Sequence, residues 1–275
     1  MKKTIISVFL SVVMAAALTG CGGSAKPAND KVNKAEGAGL KIAIVTSLTG
    51  VDDGSFNQEN YKGILSFIDA HPGSTVTPVQ ETTGAIDAAV KAVGDIVVDY
   101  DVMVCDGYQF AGIGEIAADN PDKKFILVDS FPTDADGKEV ELDNVYAMTF
   151  KEQEAGFLAG MAAALSSDTK KVAVVNGIAV ESNVNYQYGF MSGVNYANKH
   201  YDTGVEIVEL ASYAGTDMTG ANVGGNYVGS FGDPAMARLL VMLLSKKAVI
   251  SSSLLPVVRE REFSQQLRKA LKRII

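Results

Sequence analysis

Apolar and polar positions alternate in blocks from about residue 40 onward. Short, β-rich and nearly continuous apolar runs fall at residues 41–47, 75–80, 102–105, 124–129, 145–150 and 171–175. Between them lie segments of helical length, among them residues 58–70, 86–98 and 112–120. Strands apolar on both faces, alternating with helices, predict an α/β fold with parallel sheets covered on each side. Two helix starts fit the capping box, Ser55-Phe56-Asn57-Gln58 and Thr149-Phe150-Lys151-Glu152. There a hydroxyl and the later Gln or Glu would satisfy first-turn N–H groups reciprocally. The second of these helices carries Phe157, Leu158, Met161, Ala162 and Leu165 on one face. Gly156, Gly160 and Ala164 run beside it at a spacing that admits another backbone.

The first 39 residues follow neither pattern. Met1-Lys2-Lys3 and a short apolar stretch end in Leu18-Thr19-Gly20-Cys21, the form of a secretory signal closed by a lipoprotein-processing site. Residues 1–20 are thus expected to be removed, leaving Cys21 to carry acyl chains that hold the protein on the outer face of the cell membrane. Residues 21–39 contain hardly a large apolar side chain and read as a flexible tether. The folded body then divides into an N-terminal lobe over residues 40–150 and part of a second over 151–237.

Charge sharpens the division. The chain has 275 residues and a formal net charge of −8. Residues 1–237 hold 15 Lys, no Arg and 30 acidic residues, whereas residues 238–275 hold 9 basic residues, 2 acidic ones, all five Arg and no Gly. An acidic body argues against a nucleic-acid partner. The abrupt change near residue 237 is expected to mark a frameshift that leaves the second lobe incomplete. A basic amphipathic helix, with Phe263, Leu267, Leu271 and Ile274 on one face, is the competing reading of the tail; a plain solvated helix is a third.

Candidate chemistry lies at strand ends, where open α/β sheets bind ligands. Phe56 and Asn57 follow the first strand, Tyr108 and Phe110 the third, and Asp129 the fourth. Aromatic faces with a few carboxylates and amides suit a flat, polar-edged ligand. Phe56 as a core residue and Asp129 as a turn residue remain open alternatives. The stretch from Gly112 through Gly114 to Ala117 fits the G-x-G-x-x-A form of a dinucleotide site, but bulky Tyr108 and Phe110 stand between strand and glycines. His71 and His200 lack a nucleophile motif, and two cysteines, Cys21 and Cys105, provide neither a disulfide framework nor a zinc set. No metal, cofactor or catalytic residue is expected.

The sequence VTSLTGVDDGSFNQ at residues 45–58 resembles the opening motif of the basic membrane protein family, bacterial lipoproteins that bind purine nucleosides for ABC importers. KFILVD at 124–129, FKEQEAGFLAG at 150–160, GFMSG at 189–193 and YVGSFGD at 227–233 resemble further blocks in the family's order. The resemblance implies a type I periplasmic-binding-protein fold, with two Rossmann-like lobes closing on a small-molecule ligand, and a monomer that serves a membrane permease without performing chemistry. It also implies that Phe56 is one stacking ring with Asn57 beside it, that Asp129 reads the base, and that Phe231, or its rival Tyr186, supplies the second ring. Ser47 joins this set, although some relatives carry an acid there or at Gly112, so base preference does not transfer. A binding protein for a sugar or riboflavin, a surface antigen or adhesion module without a small ligand, and a non-functional truncated product are the alternatives.

Overall fold

The computed structural model of the chain describes residues 39–46, 48–247 and 250–251. The signal, nearly all of the tether, Cys21, Ser47 and the basic segment beyond residue 251 lie outside the described residues.

The first lobe is built from β1 (Lys41–Thr46), α1 (Phe56–Ala70), β2 (Thr75–Gln80), α2 (Ile86–Ile96), β3 (Val102–Asp106), α3 (Gly114–Asp119), β4 (Lys124–Val128) and β5 (Val145–Met148). Its five strands form one parallel sheet in the order β2-β1-β3-β4-β5. The strand period of two divides each apolar run between two cores. Ile42 and Ile44 pack with Ile64 and Phe67 of α1, while Ala43 and Val45 pack with Ala89 and Val93 of α2. Burial on both faces is why these runs do not alternate with polar residues. Pro78, which has no N–H for a ladder, lies on the edge strand β2 opposite Ile44.

The second lobe comprises α4 (Glu152–Ser166), β6 (Lys171–Ala173), α5 (Glu181–Tyr201), β7 (Glu206–Ile207), β8 (Gly215–Thr216), β9 (Asn222–Gly224), α6 (Pro234–Lys246) and β10 (Ile250–Ser251). Its parallel sheet runs β10-β6-β7, with β8 and β9 as a separate antiparallel pair. Thus α6 passes without interruption through residue 237, and the change in composition falls inside a helix capped by the Asp233 carboxylate, which accepts from the Met236 N–H at 2.9 Å.

Two local expectations need correction. The first capping box does not form: Ser55 occupies the N-cap position without a side-chain bond, and α4 takes Lys151 rather than Thr149 as its N-cap. Asp53 caps α1 instead, its carboxylate accepting from the N–H groups of Ser55, Asn57 and Gln58 at 2.9, 3.2 and 3.1 Å. An acid reaching forward from the loop outcompetes the hydroxyl because a charged acceptor is favoured at the positive end of the helix. In α4 the spacing of Gly156, Gly160 and Ala164 does admit another backbone, while Leu158 is 67% and Leu165 53% exposed. The inward face is the small one, Gly156, Ala159, Gly160, Ala163 and Ala164, because α5 approaches too closely for anything larger. Phe110 is fully buried in the core beneath α2, so it presents no face to a ligand.

Candidate ligand-binding cleft

The first-lobe half of the site is a loop held by its own side chains. After β1 the chain passes through Leu48, Thr49 and Gly50 to the Asp53 cap. Asn57, buried at the start of α1, donates Nδ2 to the Thr49 carbonyl at 2.7 Å and to the Thr49 hydroxyl at 3.0 Å. Both amide hydrogens are therefore engaged in pinning the loop. Phe56, the first residue of α1, is half-buried and packs against the core cluster of Ile42, Ile64 and Val104. It stands at the carboxyl end of the sheet.

Asp129 follows β4 at the same end of the sheet. Its backbone is left-handed, with φ of 59°, a strained conformation for a residue other than glycine, and its N–H donates to the Met148 carbonyl at 3.0 Å. Strain of about 1–3 kcal/mol persists only where the surroundings impose it, and such residues concentrate at functional sites. Between the ends of β1 and β4 lies Asp106, the last residue of β3 and only 1% exposed. Burial raises its carboxyl pKa well above the ordinary range, and the nearby charges of Asp129 and then Asp53 add to the effect. Neither Asp53 nor Asn60, the partner of Asp106, stood out in the sequence. The available signals were a lone acid closing the apolar run 102–105 and an amide one helical turn after Phe56.

The second-lobe half is organised around Asn226. Its side chain accepts from the Leu210 N–H at 2.8 Å and donates to the carbonyls of Val174 and Val208 at 3.0 and 3.1 Å, so one buried amide ties three segments together beyond the ends of β6 and β7. Beside it Tyr227 is buried, and that burial is the first cause that pushes its phenol pKa up to about 12. Phe231 is 54% exposed and lies across Gly177, where a Cβ would come 2.4 Å from Cδ1 of the ring. Tyr186, half-buried in the first turns of α5, packs instead on the core shared by α4, α5 and β6. Of the two aromatic residues named for this lobe, Phe231 is the more exposed.

The two halves face one another. A Cβ on Gly232 would lie 3.7 Å from Cδ1 of Leu48, which places the loop after β1 of the first lobe against the loop before α6 of the second. Gly114, by contrast, does not shape a phosphate loop: its missing Cβ leaves room for the Thr133 carbonyl, 2.4 Å from where that atom would stand. Among the described residues no group of three or more His, Cys, Asp or Glu side chains could hold a metal ion, and no helix is long and apolar enough to cross a membrane.

Comparison with known proteins gives this arrangement a context. Residues 41–218 match the family model described as ABC transporter substrate-binding protein PnrA-like, Bmp. The CD4+ T-cell-stimulating antigen of Listeria innocua is 28% identical over 255 residues, covering 85% of this chain and 68% of the antigen. The ABC transporter nucleoside-binding protein BmpA of Lactococcus lactis is 28% identical over 225 residues, covering 78% of this chain and 59% of BmpA. An ABC transporter solute-binding protein from Aeropyrum pernix has the same fold, with a TM-score of 0.62 at 21% identity, over 86% of this chain and 60% of that one. The chain therefore spans about three fifths to two thirds of the length of these proteins. Strand order, two lobes and strand-end loops agree with a family match over most of the folded body: the chain belongs to the Bmp family of PnrA-like ABC transporter substrate-binding proteins.

Proposed function

We propose that the chain captures a purine nucleoside at the cleft between its lobes and delivers it to the permease of an ABC importer, while Cys21 holds it to the outer face of the membrane through acyl chains. One observation carries the ligand class: each lobe offers an aromatic ring beyond its first strand, Phe56 after β1 and Phe231 across Gly177 after β6, on loops that meet at Leu48 and Gly232. Two rings with Asp129 near one of them suit a flat base with hydrogen-bonding edges. The name of the Lactococcus relative, a nucleoside-binding protein, supports the same class. Asn57 contributes by shaping the loop, and Tyr186 by supporting the second lobe; Ser47 is assigned to the ligand on sequence resemblance alone.

Calorimetric titration with adenosine, guanosine, inosine, riboflavin and a panel of sugars tests the reading. Saturable heat with at least one nucleoside, weakened by Phe56→Ala, is expected. Loss of one stacking face should cost about 1–3 kcal/mol, roughly 5- to 150-fold in affinity. Saturable binding of riboflavin or a sugar with flat nucleoside titrations would overturn it. The anchor has its own test: a palmitate label should be lost in Cys21→Ser.

A further inference from the structure

Two buried acceptors stand unmatched on a pair of side chains that already touch. Asn60 in α1, fully buried, donates Nδ2 to Oδ1 of Asp106 at 2.7 Å and to the Phe56 carbonyl at 3.1 Å. Its own Oδ1 has no hydrogen-bond partner, and neither does Oδ2 of Asp106. With Asp106 as a carboxylate, both of these atoms are acceptors and neither can satisfy the other. A single proton removes both deficits. Carried on Asp106 Oδ2, it would be donated to Asn60 Oδ1, while Asp106 Oδ1 keeps its bond from Asn60 Nδ2. The result is a two-bond pair between a neutral acid and an amide.

We propose that Asp106 is a positioning residue of the cleft, held as the neutral acid in such a pair with Asn60, and that the pair fixes the opening of α1, including Phe56, against the end of β3. Asn60 is the physical link, because the same amide group that meets Asp106 also meets the Phe56 carbonyl one helical turn earlier. That the ring so steadied faces a ligand rests on the function proposed above; the pair itself does not.

The groups around Asp106 favour its neutral form. The charged side chains that act on it are Asp53, from the loop before α1, and Asp129, from the end of β4, both negative. From α1 it receives the amide of Asn60, and Thr46 at the end of β1 adds only a hydroxyl to that face of the sheet. On its own strand the adjacent ionisable group is the buried Cys105 thiol. Among the described ion pairs, none includes Asp106. The proton is taken from solvent and no covalent bond between heavy atoms changes. Because the folded chain retains a proton that an unfolded aspartate releases near pH ~3.9, the contribution of the pair is complete below that pH and is lost as pH rises through the higher folded value.

Urea denaturation of the full chain between about pH 4 and about pH 9 tests this. Asp106→Asn can make the same two bonds without a titrating proton; Asp106→Ala can make neither. The wild-type midpoint should decline as pH rises, Asp106→Asn should lack that part of the decline, and Asp106→Ala should unfold at lower urea throughout. Parallel wild-type and Asp106→Asn profiles would overturn the proposal, as would Asp106→Asn being as damaging as Asp106→Ala. Should Asp106→Asn fail to fold, the carboxyl-carbon shift of Asp106 in the labelled wild type decides: a titration midpoint well above ~3.9 supports the pair, and one at that ordinary value sinks it. Nucleoside titrations run beside these measurements separate the two readings, since absence of binding bears on the ligand and leaves the denaturation result to judge the pair.

Discussion

Gly160 of α4 rests against the backbone of Phe190 in α5, so closely that a Cβ on Gly160 would stand 2.0 Å from the Phe190 carbonyl oxygen. The contact is reciprocated along the crossing: a Cβ on Gly193 would stand 2.0 Å from the Phe157 carbonyl oxygen. Backbone cannot step aside as a side chain can. Gly160→Ala should therefore force the helices apart and expose part of the core around Phe190, destabilising the lobe by about 1–3 kcal/mol or more. The urea midpoint measures it, and an unchanged midpoint would show that the helices can separate at little cost.

The cap on α1 supplies a second test, because the sequence and the structure name different residues. Asp53→Ala removes the acceptor for three N–H groups and should cost about 0.5–2 kcal/mol. Ser55→Ala, whose hydroxyl makes no cap bond, should change stability by less than about 0.5 kcal/mol. A larger loss from the serine variant than from the aspartate variant would reverse the assignment.

Gly177 lets the Phe231 ring lie close against the chain. Gly177→Ala places a methyl group where the ring now sits, 2.4 Å from Cδ1, and since Phe231 is 54% exposed the ring can swing away. Stability should shift little, while nucleoside affinity should fall by an amount similar to that of Phe231→Ala, about 1–3 kcal/mol. Unchanged affinity in both variants would remove Phe231 from the site.

Cys105 is fully buried in β3, and burial raises its thiol pKa far above the ordinary value. The thiolate is the reactive form. Under native conditions a thiol reagent should leave Cys105 unmodified and react with it at full stoichiometry in denaturant, as read by mass spectrometry of the peptide. Rapid native labelling would mean that β3 opens readily, which the packing on both its faces argues against.

The order of elements in the first lobe was legible in the chain because apolar strand runs and helical segments differ in length and in residue type. Phe56 and Asp129 were legible as candidates for the same reason: Asp129 directly follows β4, Phe56 closes the loop after β1, and α/β sheets gather ligand contacts at strand ends. Phe110 stood in an equivalent position and proved to be core, since whether a ring after a strand turns toward the cleft or under α2 depends on helix placement that no local spacing encodes.

Along α4, the spacing of Gly156, Gly160 and Ala164 marked where another backbone could approach but not which helix would supply it. The structure supplies α5 at the stripe of Gly156, Gly160 and Ala164, and the glycines and alanines turn inward because its close approach excludes bulk. What the amino-acid sequence determined alone was the α/β class, the acidic body and the strand-end positions of the candidate residues, all set by local pattern and composition. Tertiary structure alone decided that Asp53 caps α1, that Asn57 is spent on its own loop, and that Asp106 meets Asn60 in the core. Each of these depends on two segments brought together by packing, and a hydrogen bond extends only about 3 Å.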